Sequence, residues 1–252
     1  MKYSVVKINI TPKSKYPLAG FGIRSNTNVK FGAEELNLSI VRLNCQMNDT
    51  VWVSMDTLYF PNELFKFISE VLFRMFSITQ EKIIFNATHT HAAPNLFGEL
   101  FGTFNTEYLD FIKVNFLNNA NVLSELRECK VSFWESQLPS GLVINRRKRL
   151  KGFFSYILRR NIVMQPNYAV EKKFPLYGID ILGDDEKRIL IYSFSCHPTF
   201  VNNMGISADF PGYVSRLLER DKYTSAVFMQ GFCGDLRPEV ISNFSSYFSF
   251  RK

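Results

Sequence analysis

The chain has 252 residues, 46% of them hydrophobic and 15% aromatic, and a formal charge of +7. That much apolar material can fill the core of one large domain or two small ones, which excludes a disordered chain. No run of about 18 or more apolar residues occurs, which excludes a membrane-spanning helix by sequence, and the 25 phenylalanines, scattered along the chain, read as core filling.

Residues 1–10 alternate like an edge strand and lack the apolar core of a signal peptide. Runs rich in β-type residues at 39–45, 51–55, 83–86, 130–134, 177–182, 189–194 and 226–229 predict strands. Pro61 suits a helix start, and Leu64, Ile68, Val71, Leu72 and Met75 then fall on one helix face. Tyr108, Ile112, Phe116, Ala120 and Leu123 define a second helical stripe. Gly183-Asp184-Asp185 between two strand runs predicts a hairpin turn, so the sheet cannot be purely parallel. The order of elements predicts an α/β fold, a layered domain with a mixed β-sheet flanked by helices. A single domain over 1–252 is expected, with a basic insertion-like loop at about 141–173.

Cys45, Cys129, Cys196 and Cys233 are far apart and show no CxxC spacing, so reduced thiols and, without a signal peptide, a cytoplasmic location are expected. The positive charge is concentrated in Arg146, Arg147, Lys148, Arg149, Lys151, Arg159, Arg160, Lys172 and Lys173. Such a block attracts phosphates, anionic lipid headgroups or acidic sugars, or else forms a solvated surface loop. Phe153, Phe154 and Tyr156 within it follow no established RNA-binding pattern, so nucleic acid is not an expected partner.

All three histidines lie in two short motifs, Thr88-His89-Thr90-His91 and Cys196-His197-Pro198-Thr199. Residues two apart in an extended segment face the same way, so His89 and His91 can address one point. Neutral imidazole is the commonest metal ligand, and catalytic zinc usually takes three protein ligands and a water. Asp56, His89, His91, His197 and Asp235 each follow a predicted strand, which places them at the rim of an α/β sheet where ligand sites form. Asp56, Asp209 and Asp235 are candidates to complete a ligand set, although each equally suits a helix cap or a turn.

These residues carry a resemblance. Phe85-Asn86-Ala87-Thr88-His89-Thr90-His91-Ala92-Ala93-Pro94 looks like the THTHSGP segment of the neutral, non-lysosomal ceramidases, and Cys196-His197-Pro198-Thr199 looks like their HPT segment. The stretch from Ile206 to Tyr213, which holds Asp209, resembles the family's SSDNKGY stretch, and Gly231-Phe232-Cys233-Gly234-Asp235-Leu236-Arg237-Pro238 resembles its GDVSP stretch. Ile8-Asn9-Ile10-Thr11-Pro12, Pro17-Leu18-Ala19-Gly20-Phe21-Gly22 and Val53-Ser54-Met55-Asp56 are similar to its first strand, glycine turn and strand-end aspartate. With the first strand and glycine turn taken as one, six motifs in the family's order span nearly the whole chain.

The resemblance implies that His89 and His197 bind zinc, while His91 lies beside the substrate amide as a hydrogen-bonding or proton-transfer group. Zinc lowers the pKa of its bound water to about 7 and polarises a carbonyl, which suits attack on an N-acyl bond. Two departures stand out. Where ceramidases have Asn-Arg-Ser, with the serine contributing to the active site, this chain reads Asn145-Arg146-Arg147. A guanidinium cannot act as a nucleophile, but it can stabilise an oxyanion or hold a carboxylate or phosphate. The family also supplies a glutamate and a tyrosine to the metal after the GDVSP-like motif, and no equivalent of that Pro-Gly-Glu segment precedes Lys252. Either an aspartate takes over, or the chain is a fragment, or the site is degenerate.

The sequence thus predicts a zinc-dependent hydrolase of an amide (N-acyl) or related acyl bond, acting on a small-molecule or lipid-like substrate that is anionic rather than ceramide itself. His91, Arg146, Arg147 and Asp235 are the expected catalytic residues. Asn145, Arg146 and Arg147 are expected to bind substrate, with peripheral contact to an anionic membrane through 146–160. The competing expectation is a catalytically degenerate ceramidase-like protein that binds an anionic lipid or glycan through its basic stretch.

Overall fold

The computed structural model describes residues 1–14, 16–20, 34–46, 48–97, 105–149, 162–167, 173–201 and 205–239. The eight-stranded main sheet contains β1 (Lys2–Asn9), β2 (Asn37–Cys45), β3 (Asn48–Met55), β4 (Ile83–Ala87), β5 (Arg127–Gln137), β9 (Pro175–Gly183), β10 (Arg188–Phe194) and β11 (Ser225–Gln230). Its order is β11-β10-β9-β5-β1-β2-β3-β4. Only β3 with β4 and β10 with β11 run parallel, and the other neighbours are antiparallel, so the sheet is mixed as expected. The turn after Gly183 does join β9 to β10 as a hairpin, closed by Gly183 N–H donating to Lys187 O over 2.9 Å.

Among the described residues, three α-helices cover the sheet. In α1 (Asn62–Phe76), Leu64, Ile68 and Leu72 recur every fourth residue and are fully buried, each contributing about 1.5–3 kcal/mol of burial. With α2 (Thr106–Asn119), which buries Tyr108, Leu109, Ile112 and Phe116, α1 packs on one face of β1 to β4. The third helix, α3 (Asp209–Asp221), lies over β10 and β11, where Val214 and Leu218 meet Leu190, Tyr192, Ala226 and Phe228. The opposite faces of these strands form a second core. Val41 of β2 clusters there with Ile189 and Ile191 of β10 and Val227 of β11, with Trp52 of β3 packed against them.

That cluster joins strands from opposite ends of the sheet order, so the sheet is curled and its two edges, β4 and β11, face each other. Side chains close the seam instead of a ladder. Asn86 Nδ2 donates to Gln230 O over 3.3 Å, Gln230 N donates back to Asn86 Oδ1 over 3.1 Å, and Ser54 Oγ donates to Phe228 O over 2.6 Å.

Two expectations need correction. The first strand is not an edge strand, because β1 pairs with β2 along its whole length and with β5 at Lys2 and Tyr3. Alternation reports a half-buried face and does not reveal whether the main chain has a second partner. The described part of the basic stretch is not plain loop. It forms β6 (Val143–Asn145), β7 (Arg147–Arg149) and β8 (Ile162–Met164), with β6 pairing β12 (Leu236–Pro238) and β7 pairing β8. Strands of three residues are too short to show periodicity. Lys151, Arg159, Arg160, Lys172 and the aromatic residues at 153, 154 and 156 lie outside the described residues, as do Phe21 and Gly22.

Candidate metal centre

The parallel pairs β3/β4 and β10/β11 set the position of the site. Their carboxyl ends reach one rim, and curling the sheet brings the segments that follow β4 and β10 together across the seam. Leaving β4, Thr88 N–H donates to Met55 O and His89 N–H to Thr57 O, both over 2.9 Å. His89 has φ of 67°, a left-handed conformation unusual for a side-chain-bearing residue. The extended-segment rule for His89 and His91 therefore fails here. Their rings meet at 5.2 Å between centroids and 84° between planes because the chain turns at His89.

Several contacts hold this turn. Asp56 is buried and accepts from Asn37 N–H over 2.8 Å and from Thr88 Oγ over 3.1 Å. Burial pushes its carboxyl up to about 6, against the pull of those two donors. Thr90 Oγ donates to Ser207 O over 2.7 Å. Behind His91 runs the amino-terminal segment, where Ala19 N–H donates to Ala93 O over 2.9 Å and Asn95 N–H to Pro17 O over 2.8 Å. Gly20, at φ of 85°, lies so close that a Cβ there would stand 2.5 Å from His91 Nδ1.

His197 follows β10 and is itself buried. Gln230 at the end of β11 donates from Nε2 to Cys196 O over 2.8 Å, which pins the backbone just before it. Asp209 holds the segment after it by accepting from Val201 N–H over 2.7 Å and from Phe210 N–H over 2.7 Å. Thus both walls are tied to the sheet through main-chain contacts.

The three rings converge. Centroids of His89 and His197 are 4.5 Å apart and those of His91 and His197 4.8 Å apart, while His91 Nε2 and His197 Nε2 approach to 2.9 Å. One nitrogen from each imidazole lies within 4.8 Å of the others, a group that could hold a metal ion. The donor chemistry fits. His89 Nδ1 faces Leu58 O at 2.8 Å and His197 Nδ1 faces Cys233 O at 3.2 Å. A carbonyl can only accept, so each Nδ1 carries the proton and each Nε2 presents its lone pair inward. Burial lowers the pKa of His89, and burial followed by the Arg146 charge lowers that of His197 to about 4, so both rings are neutral near pH 7. His89 and His197 are thus the two rings ready to hold an ion through Nε2, and His91 Nε2, 2.9 Å from His197 Nε2, stands beside them.

Arg146 Nη2 also approaches His197 Nδ1, at 3.3 Å. Both cannot be bonded by one nitrogen, because a guanidinium donates and would require a bare Nδ1. Arg146 has an acceptor in Gly234 O, 3.0 Å from Nη2 and 3.3 Å from Nε. The Cys233 carbonyl has the better claim on His197.

The remaining expected site residues divide into two sets. Asp56 and Asp209 stand outside the imidazole group and use both carboxylate oxygens on neighbouring donors. On the other wall, Asn145 Nδ2 donates to Asp235 Oδ2 over 2.6 Å, Arg146 reaches the cluster, and Arg147 lies exposed on β7. Sequence reasoning did not single out the Leu58 and Cys233 carbonyls, which carry no side-chain signal, or Gln230. Tyr59, whose ring edge meets His89 at 5.3 Å and which packs on Phe97 at 4.5 Å, was also missed.

No protein-family model matches the chain, and comparison with curated proteins gives no match. Comparison of structures does. A crystal structure of neutral ceramidase from Pseudomonas aeruginosa superposes with a TM-score of 0.76 over 98% of this chain and 41% of that one, at 17% identity. A ceramidase complexed with C2 superposes with a TM-score of 0.69 over 94% of this chain and 38% of that one, also at 17% identity. The chain thus spans about two fifths of the length of these solved structures, and over that span it has the neutral ceramidase fold.

Proposed function

We propose that the chain is a metal-dependent hydrolase that adds water across an amide (N-acyl) or related acyl bond, with zinc as its metal. The observation that carries this reading is the convergence of three imidazole nitrogens, from segments remote in sequence, within 4.8 Å. The neutral ceramidase likeness of the fold supports it. His89 and His197 would hold the ion through Nε2, each fixed by a carbonyl behind the ring. Zinc would supply a water acidic enough to ionise near neutral pH and polarisation of the acyl carbonyl. His91 Nε2, in the same cluster, would move a proton at the scissile amide nitrogen. Arg146, beside His197, and Arg147 beyond it would hold an anionic group of a small-molecule or lipid-like substrate. Metal analysis of the purified chain tests the proposal. About one zinc per chain that disappears in His89→Ala and His197→Ala is expected, and a metal-free wild type would overturn it.

One observation favours a second reading. Arg147, Lys148 and Arg149 are all exposed on β7, as a non-catalytic protein binding an anionic lipid or glycan, or resting on an anionic membrane, would require. A wild type that lacks metal yet sediments with phosphatidylserine vesicles in a salt-sensitive way would replace the first reading with this one.

A further inference from the structure

We propose that Asn145 and Asp235 are positioning residues, a strut that locks the turn behind His197 so that its Nε2 faces the cluster. The inference deepens the reading above and rests on it for the metal, but its structural part stands without metal.

The turn runs from Cys233 to Leu236, where Leu236 N–H donates to Cys233 O over 3.0 Å. The same carbonyl oxygen faces His197 Nδ1 at 3.2 Å. One oxygen with two lone pairs therefore closes the turn and fixes the imidazole. The strand segment carrying Asn145 holds the turn at three further points. Arg146 N–H donates to Asp235 O over 2.7 Å, the Arg146 guanidinium donates to Gly234 O, and Asn145 Nδ2 donates to Asp235 Oδ2 over 2.6 Å. Asn145 is buried and uses its other side-chain atom to accept from Arg147 N–H over 2.8 Å. Its amide is thus committed on both sides, to the turn and to the basic strand. Asp235 is exposed, and its carboxylate accepts from the Asn145 amide. A carboxylate oriented in this way acts on the turn, and through the Cys233 carbonyl on the ring. Groups that orient a ligand's other nitrogen typically change metal affinity by about 10–100-fold when removed.

The experiment measures zinc affinity by competition, together with the histidine side-chain nitrogen spectrum of the metal-free chain. With only three histidines, each ring's tautomer can be assigned. In the wild type His197 is expected to carry its proton on Nδ1. Asp235→Ala is expected to lower zinc affinity by about 10–100-fold and to mix the His197 tautomers. In Asp235→Asn the amide oxygen still accepts from Asn145, so affinity and tautomer should stay close to those of the wild type. A carboxylate that acted on substrate would leave both readouts unmoved in Asp235→Ala, and that result would overturn the strut. So would an Asp235→Asn variant that falls as far as Asp235→Ala, since charge would then matter and not geometry. If the wild type binds no zinc, the hydrolase reading fails, and the tautomer of His197 still decides the strut.

Discussion

The two walls of the imidazole cluster are built differently. The wall carrying His89 and His91 is packed and over-determined: His89 is held at both its N–H and its Nδ1, Thr88 is tied to a buried carboxylate, and Gly20 leaves no space behind His91. The wall facing His197 is polar and partly exposed, and a turn, a guanidinium and an amide–carboxylate pair hold it. The difference teaches which kind of change each wall tolerates. Packing resists any added volume on the first wall, whereas the second can exchange side chains if the hydrogen-bonded shape of its turn survives.

Removing an imidazole should break the comparison outright, because each ring contributes a nitrogen to the one cluster on which both walls converge. His197→Ala and His89→Ala are each expected to reduce zinc from about one per chain to none, read by elemental analysis. The next effect belongs to the packed wall. Asp56 titrates near 6 in the folded chain against an ordinary 3.8, so the folded state holds this proton more tightly. Its contribution to stability is fully present below about 3.8 and is lost as pH rises through about 6, a change of about 3 kcal/mol. Asp56→Asn should flatten the dependence of the urea midpoint on pH across that window, and an unchanged slope would refute the assignment. Gly20→Ala is expected to cost about 1–2 kcal/mol from the left-handed backbone alone. The added Cβ also meets His91, so zinc affinity should fall with Tm. The smallest stability effect belongs to the open wall, where Arg147→Ala should leave Tm unchanged and weaken only the binding of an anionic probe such as inorganic phosphate, read by calorimetry.

Much of the fold was legible because its signals are periodic. Leu64, Ile68 and Leu72 mark α1, and the apolar runs at 189–194 and 226–229 mark β10 and β11, because long elements repeat the same burial several times. The interior position of β1 and the short strands β6, β7, β8 and β12 were not legible, since pairing partners and three-residue ladders leave no local pattern. Within the site, the histidines could be read as candidates from residue type and strand-end position. The roles of Asp56, Asp209 and Asp235 could not be separated, because a carboxylate that caps, one that braces and one that binds a cation look alike in a sequence. Only their donors distinguish them: Asn37 and Thr88 for Asp56, Val201 and Phe210 for Asp209, Asn145 for Asp235.

By itself the sequence determined that this is a mixed α/β layered protein whose three histidines follow strands. Periodicity of burial and the position of residues after apolar runs are local properties, written into neighbouring positions. The tertiary structure alone decided that the sheet curls until β4 and β11 face each other, that His89 turns with positive φ, and that backbone carbonyls of Leu58 and Cys233 aim two rings at one point. Those facts depend on which strand edges meet and on main-chain atoms common to every residue, so no choice of side chain announces them in advance.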